Sequence, residues 1–271
     1  MKGHPLGHQA KPVLCLTFDN LGEAHNVFLG KSAVPDPTAP GVAVGYPNIL
    51  RLLATYDLRA TFFVEGWSAL HYGDVIESLL RSGHEIGLHG WIHEKFGDLS
   101  ELTARQYVND GLEIMKLRGI RPVGFRAPGG RIGPYGRDIL VDAGFSYDGS
   151  VDTAMPPEIP DDMDGYAGDG LTRLPRGLIG IPWQWFMIDA VHYMLARNGL
   201  RNPHDLAGYW STVLRNVARM NGFVTVICHA HVTGIDPDRL AALETVLKLA
   251  LDLGLEILPC EQAMRHTEHL S

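Results

Sequence analysis

The sequence has little cysteine and no long apolar run. Its three cysteines are scattered through 271 residues and form no C-x-x-C pair, which argues against a disulfide framework. Apolar runs reach about seven residues, whereas a helix that crosses a bilayer needs roughly 20, so we expect no membrane span. The first residues lack the apolar stretch of a secretory signal, which predicts a cytoplasmic protein.

Basic residues are also fewer than acidic residues. The chain has 23 lysine and arginine residues against 31 aspartate and glutamate residues, a formal net charge of −8, and no basic stripe. We therefore expect neither a nucleic acid nor an anionic membrane as a partner. Histidine is instead abundant, at 13 residues. Composition alone leaves open whether these are surface residues, an expression artefact or a metal site.

Short apolar runs alternate with helical patterns, which predicts parallel strands covered by helices and so an α/β fold. No glycine-rich phosphate loop follows the first predicted strand, which favours a (β/α) barrel, distorted or incomplete, over a dinucleotide-binding sheet. We expect a single domain over residues 1–271. The predicted strands are 13–18, 60–64, 85–89, 123–126, 146–147, 178–181, 223–228 and 255–258, and the predicted helices include 68–82, 134–143, 203–221 and 236–253.

Two long stretches interrupt this alternation. Residues 19–45 contain the segment D-P-T-A-P, and residues 153–177 are rich in Asp, Gly and Pro, so both are predicted loops. Loops of this length in a compact domain are often functional. Both leave from near the ends of strands, where barrel active sites form, and we expect them to shape a pocket.

Polar residues stand at the ends of several predicted strands, and in a barrel these ends converge on one face. The spacing of His89 and His93 would put both imidazoles on one side if the segment is helical, which suits a divalent metal. Taken singly, each residue has a simpler explanation, such as a turn, a surface ion pair or a core histidine. The candidate site residues are Asp19, Asn20, His89, His93, Arg126 and His229.

Taken together and in order, these segments resemble the polysaccharide deacetylase family, also called the NodB homology domain or carbohydrate esterase family 4. The resemblance runs from about residue 12 to 260 and implies a seven-stranded, distorted barrel. Each motif is weak alone, but five in the right order are specific. They are T-F-D-N at 17–20 (family T-F-D-D), H-G-W-I-H at 89–93 (H-[ST]-x-x-H), R-A-P at 126–128 (R-x-P), Y-D-G-S at 147–150 (the fourth region) and I-C-H at 227–229 (L-x-H).

The resemblance implies a hydrolase of amide C–N bonds and assigns roles by position. Asp19 would be the base, His229 the acid and Arg126 the residue that orients the base, while Asp148 would help set the protonation state of His229. A divalent metal, expected to be zinc, would be bound by Asn20, His89 and His93. The residues expected to contact a saccharide or small-molecule substrate are Trp91, Pro128, Trp185 and Asp189.

A further likeness concerns residues 180–189, G-I-P-W-Q-W-F-M-I-D. This segment is similar to the E-I-P-x-x-W-x-L-D-D stretch of an intracellular branch, which contains cytosolic deacetylases and metal-independent allantoinases. Membership of that branch implies a homo-oligomer.

Asn20 departs from the family pattern, in which a second aspartate is the third metal ligand. An amide oxygen offers a cation only a dipole, so the metal site is either weakened or empty. The leading hypothesis is metal-dependent N-deacetylation of a sugar or small metabolite. The alternative is a metal-independent amidohydrolase of a ureide or cyclic imide, in which hydrogen-bond donors alone polarise the carbonyl. A third hypothesis is a non-catalytic barrel that binds carbohydrate.

Overall fold

The computed structural model describes residues 4–5, 11–32 and 34–268. Within these residues the chain forms one curled sheet with helices packed around it. The strands are His4–Pro5 (β1), Val13–Asp19 (β2), Thr61–Val64 (β3), Glu85–Leu88 (β4), Gly124–Phe125 (β5), Tyr147–Asp148 (β6), Thr172–Arg173 (β7), Ile179–Gly180 (β8), Phe223–His229 (β9) and Glu256–Leu258 (β10).

Strand β2 lies at the centre of the sheet and is buried along its whole length, as expected for a parallel strand covered on both faces. On one side it pairs with β9 over seven positions, from Val13 opposite Phe223 to Asp19 opposite His229. On the other side its second half pairs with β3 and its first half with β10. From β3 the parallel order continues through β4, β5, β6 and β8, and the antiparallel strands β7 and β1 extend that edge.

The helices cover the outside of this sheet, and three of the longest begin at polar caps. Ser100, Asn202 and Asp236 each accept a backbone N–H of the first turn, which satisfies donors that the helix itself leaves unpaired. The α-helices are Ala24–Phe28 (α1), Tyr46–Thr55 (α2), Gly66–His71 (α3), Gly73–Arg81 (α4), Glu101–Leu117 (α5), Gly136–Asp142 (α6), Pro203–Met220 (α7), Pro237–Asp252 (α8) and Cys260–Glu268 (α9), with π-helical turns at Gly41–Gly45, Val191–Leu195 and Ala230–Gly234.

The sheet curls into a half-barrel because the chain after β8 returns to the free side of β9. Ile188 forms a parallel bridge with Ile227, and the Thr225 hydroxyl donates to the Pro182 carbonyl at 2.7 Å. The expected α/β fold, a distorted and incomplete (β/α) barrel, is confirmed. The number of strands differs from the expected seven: eight are parallel among the described residues, because β10 adds to the lower half of β2.

The predicted helix over 68–82 is in fact two helices, α3 and α4, which meet at Tyr72. Tyr72 leaves helical geometry, with φ −112° and ψ 52°, and its buried ring packs beneath Gly22. Its hydroxyl donates to Glu23. A tertiary contact therefore interrupts a helix that local periodicity predicts to be continuous.

The two predicted loops also contain structure. Residues 19–45 include α1 and a π-helical turn, and residues 153–177 include β7. These elements are two to five residues long, so they carry no periodic pattern for a sequence to display.

In the described part of the chain, none of the helices has both the length and the apolarity that crossing a bilayer requires.

Two π-helical turns, Gly41–Gly45 and Ala230–Gly234, pack against each other just beyond His229. Gly45 makes this approach possible, because a Cβ atom at that position would lie 2.2 Å from the Ala230 carbonyl oxygen. Its φ of −62° suits any residue. The requirement for glycine is therefore one of space.

We predict that Gly45→Ala lowers the free energy of unfolding by about 1–3 kcal/mol, because the added methyl group overpacks this contact. Gly208→Ala is the matched control: Gly208 is exposed within α7 with open space around it. Alanine there should raise stability by about 0.5–1 kcal/mol. Denaturant unfolding measures both changes, and a Gly45→Ala protein as stable as the parent would contradict the packing argument.

Candidate active site

A cavity of about 300 Å³ opens at the carboxyl ends of the parallel strands. It brings together residues from β2, β9 and the segments that follow β4 and β5, as expected for a barrel of this kind. Trp91, Pro128, Asp148 and Asp189 do not line it. The candidates from the sequence that do line it are Asp19, Asn20, His89, His93, Arg126, Trp185 and His229.

Arg126 is almost completely buried and holds Asp19 in place. Its Nη1 atom donates to Asp19 Oδ1 at 2.7 Å and to Thr17 Oγ1 at 2.8 Å, and its Nε atom donates to the Gly149 carbonyl at 2.9 Å. The guanidinium also lies 4.2 Å from the centre of the Phe63 ring. A buried charge needs a partner of opposite sign, so Arg126 and the carboxylate of Asp19 fix each other.

His229 is held in the same manner by Asp189. Its Nδ1 atom lies 2.6 Å from Asp189 Oδ1, and its backbone N–H donates to Asp189 Oδ2 at 2.9 Å. The Thr233 hydroxyl donates to the same Oδ2 at 2.6 Å. Burial alone would lower the pKa of His229, but the charge of Asp189 and its hydrogen bond outweigh burial and raise that pKa. A proton on Nδ1 leaves Nε2 as the atom that can exchange a proton in the cavity.

Asp148 was expected to help set the protonation state of His229, but the carboxylate that contacts His229 is that of Asp189. Asp148 is buried and accepts from Arg137 at 3.0 Å and from the Ser150 backbone at 2.8 Å, without a contact to His229. Asp189 was expected to bind substrate, but its side chain is fully buried behind His229. Its oxygens already bind His229 and Thr233, so it positions the histidine instead.

The segment from His89 to His93 is a turn and not a helix, yet it still brings the two imidazoles together, with ring centres 5.2 Å apart. Gly90 and His93 both have positive φ, 68° and 61°, a conformation that is uncommon outside glycine. The buried carboxylate of Glu94 fixes the turn by accepting the backbone N–H groups of Trp91 and Ile92.

His89 presents a defined nitrogen to the cavity. Its Nδ1 atom lies 2.8 Å from the Arg126 carbonyl oxygen, which can only accept, so Nδ1 carries the proton. Burial lowers the pKa of His89 to about 4. The neutral ring therefore keeps an unshared electron pair on Nε2, the state in which histidine binds metals.

Asn20 follows Asp19 with φ 64°. The Tyr46 hydroxyl donates to its carbonyl oxygen at 2.9 Å, and the next N–H, of Leu21, donates to the buried Glu65 at 3.1 Å. Its side-chain Oδ1 atom is buried without a hydrogen-bond partner. An unsatisfied buried oxygen costs about 1–3 kcal/mol, a cost that a cation or a donor from a ligand would remove.

The donor set of Asn20 Oδ1 and two neutral histidines has the chemistry of a zinc-type ion. Among the described residues, no group of three or more His, Cys, Asp or Glu side chains stands in an arrangement that holds a metal. A metal bound here would therefore need the amide oxygen of Asn20, a small movement of side chains, or both.

Sequence reasoning missed His25, which lines the same cavity. Its Nδ1 atom lies 3.0 Å from His93 Nδ1, and the two ring centres are 4.6 Å apart. His25 belongs to α1, in a stretch predicted to be a loop, and no spacing in the sequence relates it to His93. His231 also lines the cavity, with its ring centre 5.4 Å from that of His229.

The cavity also has an apolar lining. Trp185 lines it, as expected, and Trp183 packs edge to face against it with ring centres 4.9 Å apart. Trp91 packs instead near Gly66, and Pro128 is buried beside Gly90, so these two predicted substrate contacts lie outside the cavity wall. The remaining apolar lining is Ile188, Val191, Met194, Leu195 and Ile227.

Comparison with known proteins shows the family of the chain. The model of the polysaccharide deacetylase family matches residues 7–147, just over half of the chain. The chain belongs to the polysaccharide deacetylase family. The predicted resemblance and the predicted enzyme class, a hydrolase of amide C–N bonds, are thereby confirmed. Deacetylases of this family are generally metal-dependent and act on saccharides.

Individual relatives show how far the likeness extends. A peptidoglycan deacetylase from Helicobacter pylori is 28% identical over 198 residues, which are 65% of this chain and 68% of that protein. A solved Mycobacterium smegmatis protein assigned to the polysaccharide deacetylases is 26% identical, with a TM-score of 0.78 over 100% of this chain and 95% of that one. PuuE allantoinase shares the fold, with a TM-score of 0.79 and 21% identity over 95% of this chain and 90% of that one.

We predict that His89 stays neutral, with its proton on Nδ1, down to about pH 5 in the metal-free protein, because its pKa is about 4. Nitrogen-15 NMR of the imidazole rings distinguishes the Nδ1–H form, the Nε2–H form and the charged ring. A His89 ring that is charged at pH 6, or protonated on Nε2, would contradict this assignment.

Proposed function

We propose that this protein is a metal-dependent amide hydrolase that removes the N-acetyl group from an amino sugar or a small metabolite. One observation carries the proposal: Asp19 and His229 occupy directly paired positions on adjacent parallel strands and face one cavity. Each is held by a buried residue of opposite charge, Arg126 and Asp189 respectively. Neighbouring strands lie about 4.8 Å apart, so a base and an acid would flank the same scissile bond.

Asp19 is the proposed general base. Arg126 engages its Oδ1 atom, which leaves Oδ2 to accept a proton from the attacking water. Arg126 also keeps an Nη2 atom that is buried and without a partner in the structure. That donor is available to the substrate or to the water that attacks it.

His229 is the proposed general acid, which protonates the leaving amine from Nε2. A general acid must hold its proton at working pH, and Asp189 favours this by raising the pKa of His229. The hydrogen bond from Nδ1 to Asp189 also fixes the plane of the ring. The acid then delivers its proton without first having to reorient.

The proposed metal ligands are His89, His93 and Asn20 Oδ1, and zinc is the proposed ion. When bound, such an ion polarises the acyl carbonyl and lowers the pKa of water. The protein contributes neutral imidazoles, one of them set by the Arg126 carbonyl, and an amide oxygen that has no other partner.

Two observations support a saccharide or similarly sized substrate. The cavity, at about 300 Å³, accommodates one small group rather than a length of polymer. Trp183 and Trp185 add aromatic surface to the cavity lining, suited to the apolar face of a sugar ring. The Helicobacter pylori relative is named for its action on peptidoglycan, which adds support for an N-acetylated sugar.

The second candidate is a metal-independent amidohydrolase of a ureide or cyclic imide. Asn20 in place of the family's aspartate favours it, as does the pairing of His93 Nδ1 with His25. In that case Arg126 Nη2 and the Trp185 indole N–H, both buried without a partner, are the available donors for the carbonyl. Chelation separates the candidates, because it abolishes activity in the first and leaves it unchanged in the second.

We predict that Asp19→Asn lowers kcat by about 10²–10⁴, since it removes the base but keeps an oxygen for Arg126. Acetate release from a panel of N-acetylated amino sugars measures the change, with circular dichroism to check the fold. The matched control is Asp152→Asn, an exposed aspartate that pairs with Arg137, and it should retain activity. Full turnover by Asp19→Asn would overturn the assignment of the base.

In a plot of kcat against pH, the fall in kcat on the alkaline side should report the pKa of His229, because the charged form of His229 is the active one. Asp189 raises the pKa of His229, so Asp189→Asn lowers that pKa and moves the limb to lower pH. Asp148→Asn removes a buried carboxylate that does not touch His229 and should leave the limb in place. A limb that moves with Asp148 and not with Asp189 would contradict this assignment.

Asn20→Asp should tighten zinc binding, since a carboxylate adds charge that the amide lacks. The gain is about tenfold for each 1.4 kcal/mol of added attraction. Elemental analysis after identical dialysis compares the two proteins. Equal zinc content in both would count against this prediction.

A further inference from the structure

We propose that Cys15 and Cys260 are a redox-sensitive pair, which a thiol oxidant joins in a disulfide bond between the central strand β2 and the helix α9. The Sγ atoms of the two residues lie 3.4 Å apart, and both side chains are fully buried. All three cysteines are free thiols in the structure. The inference does not depend on the metal ion or on the reaction proposed above.

The fold brings the two cysteines together from distant parts of the chain. Cys15 lies in the first half of β2, with Leu258 of β10 directly opposite. Helix α9 begins two residues after Leu258, at Cys260. The pairing of β10 with β2 therefore places Cys260 beside Cys15, although 245 positions separate them in the sequence.

Hydrogen bonds from two other strands fix the start of α9. The backbone N–H of Cys260 donates to the Thr61 hydroxyl oxygen at 2.7 Å, and the N–H of Glu261 donates to the Glu85 carboxylate at 2.9 Å. A helix leaves such N–H groups at its start without internal partners. Thr61 and Glu85 thus hold Cys260 in place, and a bond to Cys15 would add a covalent link at the same end of α9.

The third cysteine is kept apart from this pair. Cys15 and Cys260 belong to the smaller of two apolar clusters, which packs α9 against the sheet. Cys228 lies on β9 and is buried in the larger cluster. Rotation of the Cys15 and Cys260 side chains brings their sulfurs to the separation of about 2.0–2.1 Å that a disulfide requires. The expected product is therefore one specific bond.

Thiol–disulfide exchange supplies the chemistry, with a small disulfide such as oxidised glutathione as the oxidant. One cysteine thiolate attacks a glutathione sulfur and releases the first glutathione, which takes up the proton of that cysteine. The second cysteine then attacks the mixed disulfide and releases the second glutathione, which takes up the other proton. The protein pair loses two electrons, and the oxidant leaves as two thiols.

Burial determines when this exchange takes place. It raises the pKa of the Cys15 thiol well above its ordinary value, and the thiol form is unreactive. The bond therefore forms during folding, or while α9 is transiently open, and not by attack on the closed structure. Once formed, it is shielded from small thiols in the same way.

The test counts thiols and locates the bond. The protein is unfolded in urea and refolded in dithiothreitol or in a glutathione redox buffer, so that burial does not limit access. A folded sample incubated in the same glutathione buffer gives a second count without refolding. Alkylation in denaturant followed by mass spectrometry should find three free thiols after dithiothreitol. After glutathione it should find only Cys228 free, with a Cys15–Cys260 crosslinked peptide.

Urea unfolding measures the consequence of the bond. The midpoint of the oxidised protein should lie at higher urea, because the crosslink restricts the unfolded chain, and dithiothreitol should return it to the reduced value. Cys228→Ala is the matched control and should show the same shift, whereas Cys15→Ala and Cys260→Ala should show none. An oxidised protein that unfolds at the same urea concentration as the reduced one would overturn the stabilising role.

Three free thiols after both glutathione treatments would overturn the proposal. So would glutathione adducts in place of the crosslink, or a bond that involves Cys228. Each of these outcomes leaves the proposed function standing, because none of the three cysteines lines the active-site cavity.

Discussion

The buried guanidinium of Arg126 is the interaction on which the rest of the site depends. A charge with almost no access to water must be met by an ionised partner and by oriented acceptors, and here these are Asp19, Thr17 and the Gly149 carbonyl. The carbonyl of the same residue accepts from His89. One side chain and its own backbone thus set the position of the proposed base and the protonation of a proposed ligand.

The site has two parts that differ in how the backbone holds them. Asp19 and His229 lie at the ends of two long, paired strands, with Arg126 and Asp189 buried behind them. The proposed ligands lie on turns, where Asn20 and His93 both have positive φ. Backbone conformations of this kind are uncommon and persist where the surroundings hold them, here the hydrogen bonds of Tyr46, Glu65 and Glu94.

The sequence predicted well the residues of the site that lie on strands, because the ends of parallel strands must meet at one edge of the sheet. That rule alone brings Asp19, Arg126 and His229 together, and the structure agrees. The sequence could not show whether Asp148 or Asp189 is the partner of His229, because their contacts depend on how the chain returns from β8 to β9. His25 was equally out of reach, because a five-residue helix inside a long loop has no period to reveal it.

The most direct test is a crystal structure of the zinc-loaded protein with diffraction measured on both sides of the zinc absorption edge. We predict one anomalous peak in the cavity, about 2.0–2.2 Å from nitrogen atoms of His89 and His93 and on the same face as Asp19 and His229. A cavity without that peak, with His25 and His93 still hydrogen-bonded to each other in the presence of excess zinc, would contradict it.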